Sequence, residues 1–323
     1  MKYSDFRRYI KKVNDDQIEE YAMIEPNKED FIYGLRKKKF VRFSSELFGE
    51  LIQELRNNPN CSYDTYINEI IKEGYTPEYI SVILKDANQD VINNDTLKIG
   101  HLREKIASGI MNYFGCKTTY DTLVSVDGEF KCCSVDFNKE NETLYIADEL
   151  KPYCTQIGGL RELIIELDSK FKHFSKEKHV QTGVKPEIDF MREYVYNYLV
   201  RKFVLVDRDF GFHNVGIVHN AKANTLSLAP NFDYEYTFLH MELSRNKLFK
   251  NSRINDLKFV RKYYSSIYSK FLTKYREFVD ENKYEDIIKG AIGGGKKSQR
   301  FTQEYKSYLD SVDDMIIDSC RII

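Results

Sequence analysis

Asp209-Phe-Gly-Phe-His-Asn214, followed by Leu228-Ala-Pro-Asn-Phe-Asp233, is the stretch on which the reading of this chain turns. It holds a carboxylate, a carboxamide five residues later, and a second carboxylate closing a short apolar run. Oxygen ligands of this kind suit a hard dication, with Asp209 left to orient a hydroxyl. Transfer of a phosphoryl group asks for that set: a carboxylate beside the attacking oxygen, plus a neutral and an anionic ligand for magnesium. Asp, Asn and Gly are also common in polar turns for purely local reasons, so the setting matters. An apolar helix candidate, 187–204, leads into the loop, and a short hairpin with Thr225–Leu228 as its second strand leads on to Asp233. Asp207 is a rival for the carboxylate role, although it stands seven residues from Asn214.

Working outward, residues 102–114 (LREKIASGIMNYF) place Ile106, Ile110 and Tyr113 on one stripe of a helix, with Gly115 as its stop. Two β-rich runs follow, Thr118–Val126 and Glu129–Phe137, joined by Asp127-Gly128, a strong hairpin signal because glycine accepts positive φ. Beyond 138 the pattern is mostly helical, at 159–173, 187–204, 257–281 and 301–316. Residues 1–95 read as mainly helical: Ser44 can cap a helix through Leu47, Leu51 and Leu55, and Ile67, Ile70 and Ile71 continue the pattern. Within that region Tyr79–Lys85 is open to two readings. Its β-branched run suits a strand, while Thr76-Pro77 is a good helix start.

Residues 190–218 (FMREYVYNYLVRKFVLVDRDFGFHNVGIV) and 226–238 (LSLAPNFDYEYTF) resemble the catalytic core of HipA-like serine/threonine kinases. GHLREKIASGIMNYFG (100–115) resembles that family's helix bearing an acidic residue, and FKCCSVDF (130–137) its strand leading to the interlobe hinge. The resemblance implies an α+β, two-lobed, protein kinase-like fold. A small strand-containing N-lobe would use 96–137, and a larger helical C-lobe 138–323. Residues 1–95 would then form an extension of extra N-terminal helices, part of which could join the N-lobe. It further implies an ATP- and Mg2+-dependent kinase, able to phosphorylate itself and protein substrates bearing a Ser/Thr hydroxyl. Asp209 would be catalytic, and Asn214 and Asp233 would hold the metal. Glu104 would pair with a phosphate-binding lysine, for which Lys85 and Lys98 compete. Val135 and Phe137 would line the adenine pocket. The chain departs from the family in carrying Phe210 and Gly211 directly after Asp209, where a His or Arg often follows.

Composition sets the remaining bounds. With 49 basic and 50 acidic residues, no net field argues for nucleic acid or an anionic membrane as partner. Arg36–Lys39 reads as a solvated face. The six cysteines show no metal-site spacing and read as reduced thiols, the start lacks a signal-peptide pattern, and no apolar run reaches membrane-spanning length. A cytoplasmic protein is the expectation; whether it acts in its own cell or another's stays open. Gly290–Ser298 (GAIGGGKKS) nearly spells a P-loop, but Lys297 stands where Ser/Thr is needed and a helical pattern precedes it. Two other function classes fit the same residues: a non-catalytic nucleotide-binding or interaction protein on this scaffold, and a lipid or small-molecule kinase.

Overall fold

In the computed structural model the residues described are 11–13, 18–20, 38–44, 79–86, 100–126, 129–135, 141–151, 159–180, 184–234, 236–239 and 241–321. A six-stranded sheet gathers the first part of the chain. Its strands are β1 (Lys11–Val13), β2 (Ile18–Glu20), β3 (Lys38–Ser44), β4 (Tyr79–Asp86), β5 (Asp121–Val126) and β6 (Glu129–Val135), in the order β1-β5-β6-β4-β3-β2. Wherever residues 1–95 are described they are strand, where a mainly helical segment was expected. The reason is cooperative pairing. Lys38–Ser44 lies antiparallel to Tyr79–Asp86 over its whole length, from Lys38 opposite Lys85 to Ser44 opposite Tyr79. Those cross-strand contacts also decide Tyr79–Lys85 for the strand, against the helix start at Thr76-Pro77. The helices expected over 47–55 and 67–71 fall outside the described residues.

β5 and β6 pair with Val126 opposite Glu129, the hairpin register that the Asp-Gly dipeptide predicted. Against this sheet lies α1 (Gly100–Tyr113), with Leu102, Ile106, Ala107, Ile110 and Met111 all buried. Gly115, at φ +72°, and a bond from the Cys116 N–H to the Met111 carbonyl (3.0 Å) close its C-terminus.

The second half is helical: α2 (Leu160–Glu177), α3 (Val184–Leu199), α4 (Lys247–Tyr263), α5 (Ser265–Asp280), α6 (Lys283–Ile292) and α7 (Lys296–Cys320). A small antiparallel sheet of β7 (Glu142–Ile146), β8 (Gly216–Asn220) and β9 (Thr225–Leu228) sits among them. With no tryptophan in the chain, tyrosine and phenylalanine fill the core. Four buried tyrosines, Tyr196, Tyr275, Tyr305 and Tyr308, donate their hydroxyls to main-chain carbonyls, as Tyr275 does to Leu309 (2.8 Å).

One such pairing shapes the site. The helix expected to run through residue 204 ends at Leu199 and widens into a π-turn over Val200–Val204, with the Leu205 N–H bonded to the Val200 carbonyl at 3.0 Å. The hydroxyls of Tyr308 and Tyr305 on α7 donate to the carbonyls of Phe203 and Val204, at 2.8 and 2.9 Å. Tertiary partners thus hold the wider turn, which local periodicity could not reveal. The glycine-rich stretch shrinks to Gly293–Gly295 between α6 and α7, and a helix rather than a strand precedes it.

Gly216 opens β8 directly behind the site loop. A Cβ there would meet Leu144 Cδ1 at 2.5 Å and Ala229 Cβ at 2.9 Å. Gly216→Ala is expected to lose about 1–3 kcal/mol of stability through overpacking, read as a lowered urea midpoint with the slope unchanged.

Candidate active site

The π-turn delivers Arg201 into the interior, where it is fully buried. Its Nε donates to Asp207 Oδ2 at 2.6 Å, and its two terminal nitrogens donate to the carbonyls of Phe232 (3.1 Å) and Asp233 (2.9 Å). Phe210 and Tyr234 cover the guanidinium, with ring centroids 4.4 and 4.7 Å from its carbon. One side chain thereby ties the loop around Asp209 to the segment carrying Asp233. Asp207 is 1 % exposed and both its oxygens are engaged, Oδ1 accepting from the Asp209 N–H at 2.9 Å. Its rivalry with Asp209 ends there, because a carboxylate so placed holds the loop and cannot meet a substrate. Between Arg201 and Asp207, Val206 is held at φ +53°, a costly conformation for a β-branched residue, of the kind found at over-determined sites.

Asp209 itself stays partly open, its side chain 41 % exposed. His213 Nε2 lies 3.0 Å from its Oδ1. Asn214 Nδ2 donates to the Asp209 carbonyl (2.8 Å) and to Oδ2 (3.2 Å). With the amide nitrogen of Asn214 spent in this way, its Oδ1 is left as a neutral oxygen donor. His213 is raised from its ordinary pKa by that bond to Asp209; burial opposes the shift, and the charges of Asp209, Asp148 and Asp233 add to it. On the same loop, burial lowers Lys202 to about 7 and the cations Arg253 and Arg201 act with it, while Asp207 resists.

Asp233 stands at φ +57°. Its segment is stitched to the chain leaving α1: Thr118 bridges Asn231, the Thr119 N–H donates to the Asn231 carbonyl (2.9 Å), and Thr118 and Tyr234 share a hydroxyl–hydroxyl bond. Its charge acts on His213 on one side and on Lys85 on the other.

Lys85 projects from β4 and is buried, with its Nζ 3.3 Å from Glu104 Oε2 on α1. Glu104 is 1 % exposed, far from an ordinary charge of a first helical turn. Burial alone would lower Lys85, but Glu104, then Asp233, Cys132 and Asp121, outweigh it and raise the ammonium above its ordinary range. Asp121, on β5, joins this group, accepting from Thr119 at 2.9 Å and from Ser134. Burial and then the Glu104 charge push its carboxyl up to about 7. Glu104, Asp121 and Cys132 place their ligand atoms within 4.8 Å of one another. Burial, then the Glu104 charge, holds the Cys132 thiol well above its ordinary pKa, and the thiol donates to Glu104 Oε2 at 3.0 Å.

Of the residues expected at the site, Lys85 and Glu104 are brought together, and Asp209 and Asn214 share one loop. Val135 is buried on β6 opposite Val82, and its N–H is already bonded to the Tyr120 carbonyl (3.0 Å). That N–H is thus not available to a base. Phe137 and Lys98 lie outside the described residues. Arg201 and Asp121 were missed. A lone arginine inside the apolar run Leu199–Val206 was the available signal for the first; nothing local marked the second.

No protein-family model matches the chain, and no curated protein matches it. Among solved structures it is similar to the Helicobacter pylori proinflammatory kinase CtkA, with a TM-score of 0.50 and 17 % identity, over 74 % of this chain and 89 % of that one. The fold is kinase-like. At that identity the likeness extends to the fold alone, and the side chains carry the rest.

Two outcomes follow from the geometry. Arg201→Leu strands the Asp207 carboxylate in the interior and should cost about 3–5 kcal/mol, measured by urea unfolding. Asp121 binds a proton in the folded chain where the unfolded chain, near its ordinary 3.8, has lost it. Its contribution to stability is complete below about pH 4 and is lost as the pH rises to about 7. Compared with Asp121→Asn, the native protein should therefore lose ground between those values and hold a constant difference above them, in unfolding curves taken across that range.

Proposed function

We propose that the chain is an ATP- and Mg2+-dependent phosphotransferase, and specifically a HipA-like serine/threonine protein kinase that also phosphorylates itself. The observation that carries this reading is the position of Asp233. Arg201 bonds its carbonyl and the Asp207 carboxylate next to the Asp209 loop, at 2.9 and 2.6 Å, while its neighbours Asn231 and Tyr234 bond Thr119 and Thr118 just ahead of β5. The segment carrying Asp233 is thereby tied both to the loop side and to the sheet side.

In this reading Lys85, oriented by Glu104, holds the α- and β-phosphates. Asn214 Oδ1 and the Asp233 carboxylate are the hard oxygen donors for Mg2+, which would neutralise phosphate charge. Asp209 orients the attacking hydroxyl and accepts its proton late in transfer. Val135 would contribute apolar surface to the adenine. Arg201 touches none of the reacting atoms; it fixes the distance between the two metal-binding segments. The substrate is a protein bearing Ser or Thr.

One feature favours a second reading. Both carboxylate oxygens of Asp209 already carry hydrogen bonds, from His213 and Asn214. A non-catalytic nucleotide-binding scaffold would tolerate that arrangement.

Purified protein incubated with Mg2+ and γ-labelled ATP should transfer label to itself and to protein substrates. Asp209→Ala should lower kcat by about a hundredfold to ten-thousandfold with little change in the KM for ATP. Asn214→Ala should shift the Mg2+ dependence to higher concentration. Binding of an ATP analogue without any label transfer would support the scaffold, and undiminished transfer by Asp209→Ala would overturn the catalytic assignment.

A further inference from the structure

Away from the Asp209 loop, the C-terminal end of α1 meets α3 and α5 around a hollow of about 370 Å3, lined by Tyr113, Gly115, Tyr196, Lys270, Thr273 and Lys274. Its size falls in the range of small-molecule sites, about 300–1,000 Å3. The walls are largely aromatic carbon, and two ammonium groups stand over them. Lys270 Nζ lies 4.2 Å from the centroid of the Tyr196 ring, and Lys274 Nζ lies 4.5 Å from that of Tyr113.

Both rings are held in place. The Tyr196 hydroxyl donates to the Phe114 carbonyl at 2.8 Å, and the Tyr113 ring rests against Phe278 with centroids 5.4 Å apart. A fixed ring face positions the cation above it, yet an ammonium has three N–H donors and the ring takes only part of that capacity. Lys274 shares its charge with Glu277 at 3.0 Å. Lys270 has no carboxylate partner among the described residues. The hollow therefore has uncompensated positive charge on one turn of α5 and apolar walls beneath it.

We propose that this hollow binds a small organic anion. Its phosphate or carboxylate head is held by Lys270 and Lys274, and its ring body lies against Tyr113 and Tyr196. The head alone would meet two solvated lysines, an interaction worth little in water. The body alone would leave the Lys270 ammonium without an anion. The two parts together account for both features of the lining.

The site also has a lever. Tyr113 is the last residue of the helix that carries Glu104 nine residues earlier, about 14 Å along the axis. α1 approaches α6 closely enough that a Cβ on Gly109 would meet Ile287 at 3.0 Å. A ligand bracing the free end of so tightly held a helix should slow its opening along its length.

The test uses the full chain and three probes: phenyl phosphate, inorganic phosphate as the head alone, and benzyl alcohol as the body alone. Calorimetric titration should give saturable one-site binding of phenyl phosphate, with each of the other probes weaker by roughly tenfold or more. The Lys270→Ala/Lys274→Ala double variant should weaken it by a similar factor. Thr273→Phe, an exposed helical position that fills the hollow, should abolish it. Absence of saturable binding, equal binding of inorganic phosphate, or native affinity in both variants would overturn the site. Saturating phenyl phosphate should also slow amide hydrogen exchange in α1 as far as Glu104. Unchanged exchange with demonstrated binding would overturn the lever.

Discussion

A single guanidinium holds the functional half of this molecule together. Arg201 is fully buried, so its charge must be matched and its donors need partners. Asp207 supplies the counter-charge, and the carbonyls of Phe232 and Asp233 each accept from one terminal nitrogen. The aromatic faces of Phe210 and Tyr234 close over it. Each of these partners belongs to the Asp209 loop or to the Asp233 segment. The desolvation cost of one charge is thus what makes two sequence-distant segments share a geometry. The π-turn, held by tyrosine hydroxyls from α7, lets the arginine point inward at that place.

The sheet side of the cleft obeys a similar constraint with a different balance. Lys85 brings one positive charge into the interior, and Glu104 and Asp121 bring two carboxyls. Three ionised groups would leave an uncompensated buried negative charge. The Asp121 carboxyl, pushed up to about 7, resolves this by keeping its proton over the acidic range. Glu104 is thereby left as the partner of Lys85, which binds β4 to α1. The stitch between Thr118–Thr119 and Asn231 ties the Asp233 segment to the chain leaving α1 independently of any side-chain charge.

Much of the site was legible because its chemistry is local. Asp209 and Asn214 are five residues apart on one loop, close enough that the Asn214 amide bonds back to the Asp209 carbonyl. The Asp-Gly hairpin and the stripe of α1 follow from backbone preference and helical period, and both stand where the pattern put them. The strands described within residues 1–95 have the opposite origin. Tyr79–Asp86 carries signals for both helix and strand, and its neighbours across the sheet, Lys38–Ser44 and Cys132–Val135, lie tens of residues away. Arg201 escaped for the same reason. An arginine in an apolar helix reads as one polar position on an amphipathic face, and only its partners from 207 and 232–233 reveal a buried staple.

Taken alone, the order of residues put Asp209 and Asn214 on one loop, and marked which runs would become the α1 helix and its following hairpin. Those features depend on neighbours within a few positions, where steric preference and periodicity act directly. The tertiary structure decided that Lys85 sits on a strand, that its partner is Glu104, that Asp207 is structural while Asp209 is open, and that the Asp233 segment lies against both. Each of these is settled by the cost of burying charge among groups far apart along the chain, and that cost exists only once the chain has folded around them.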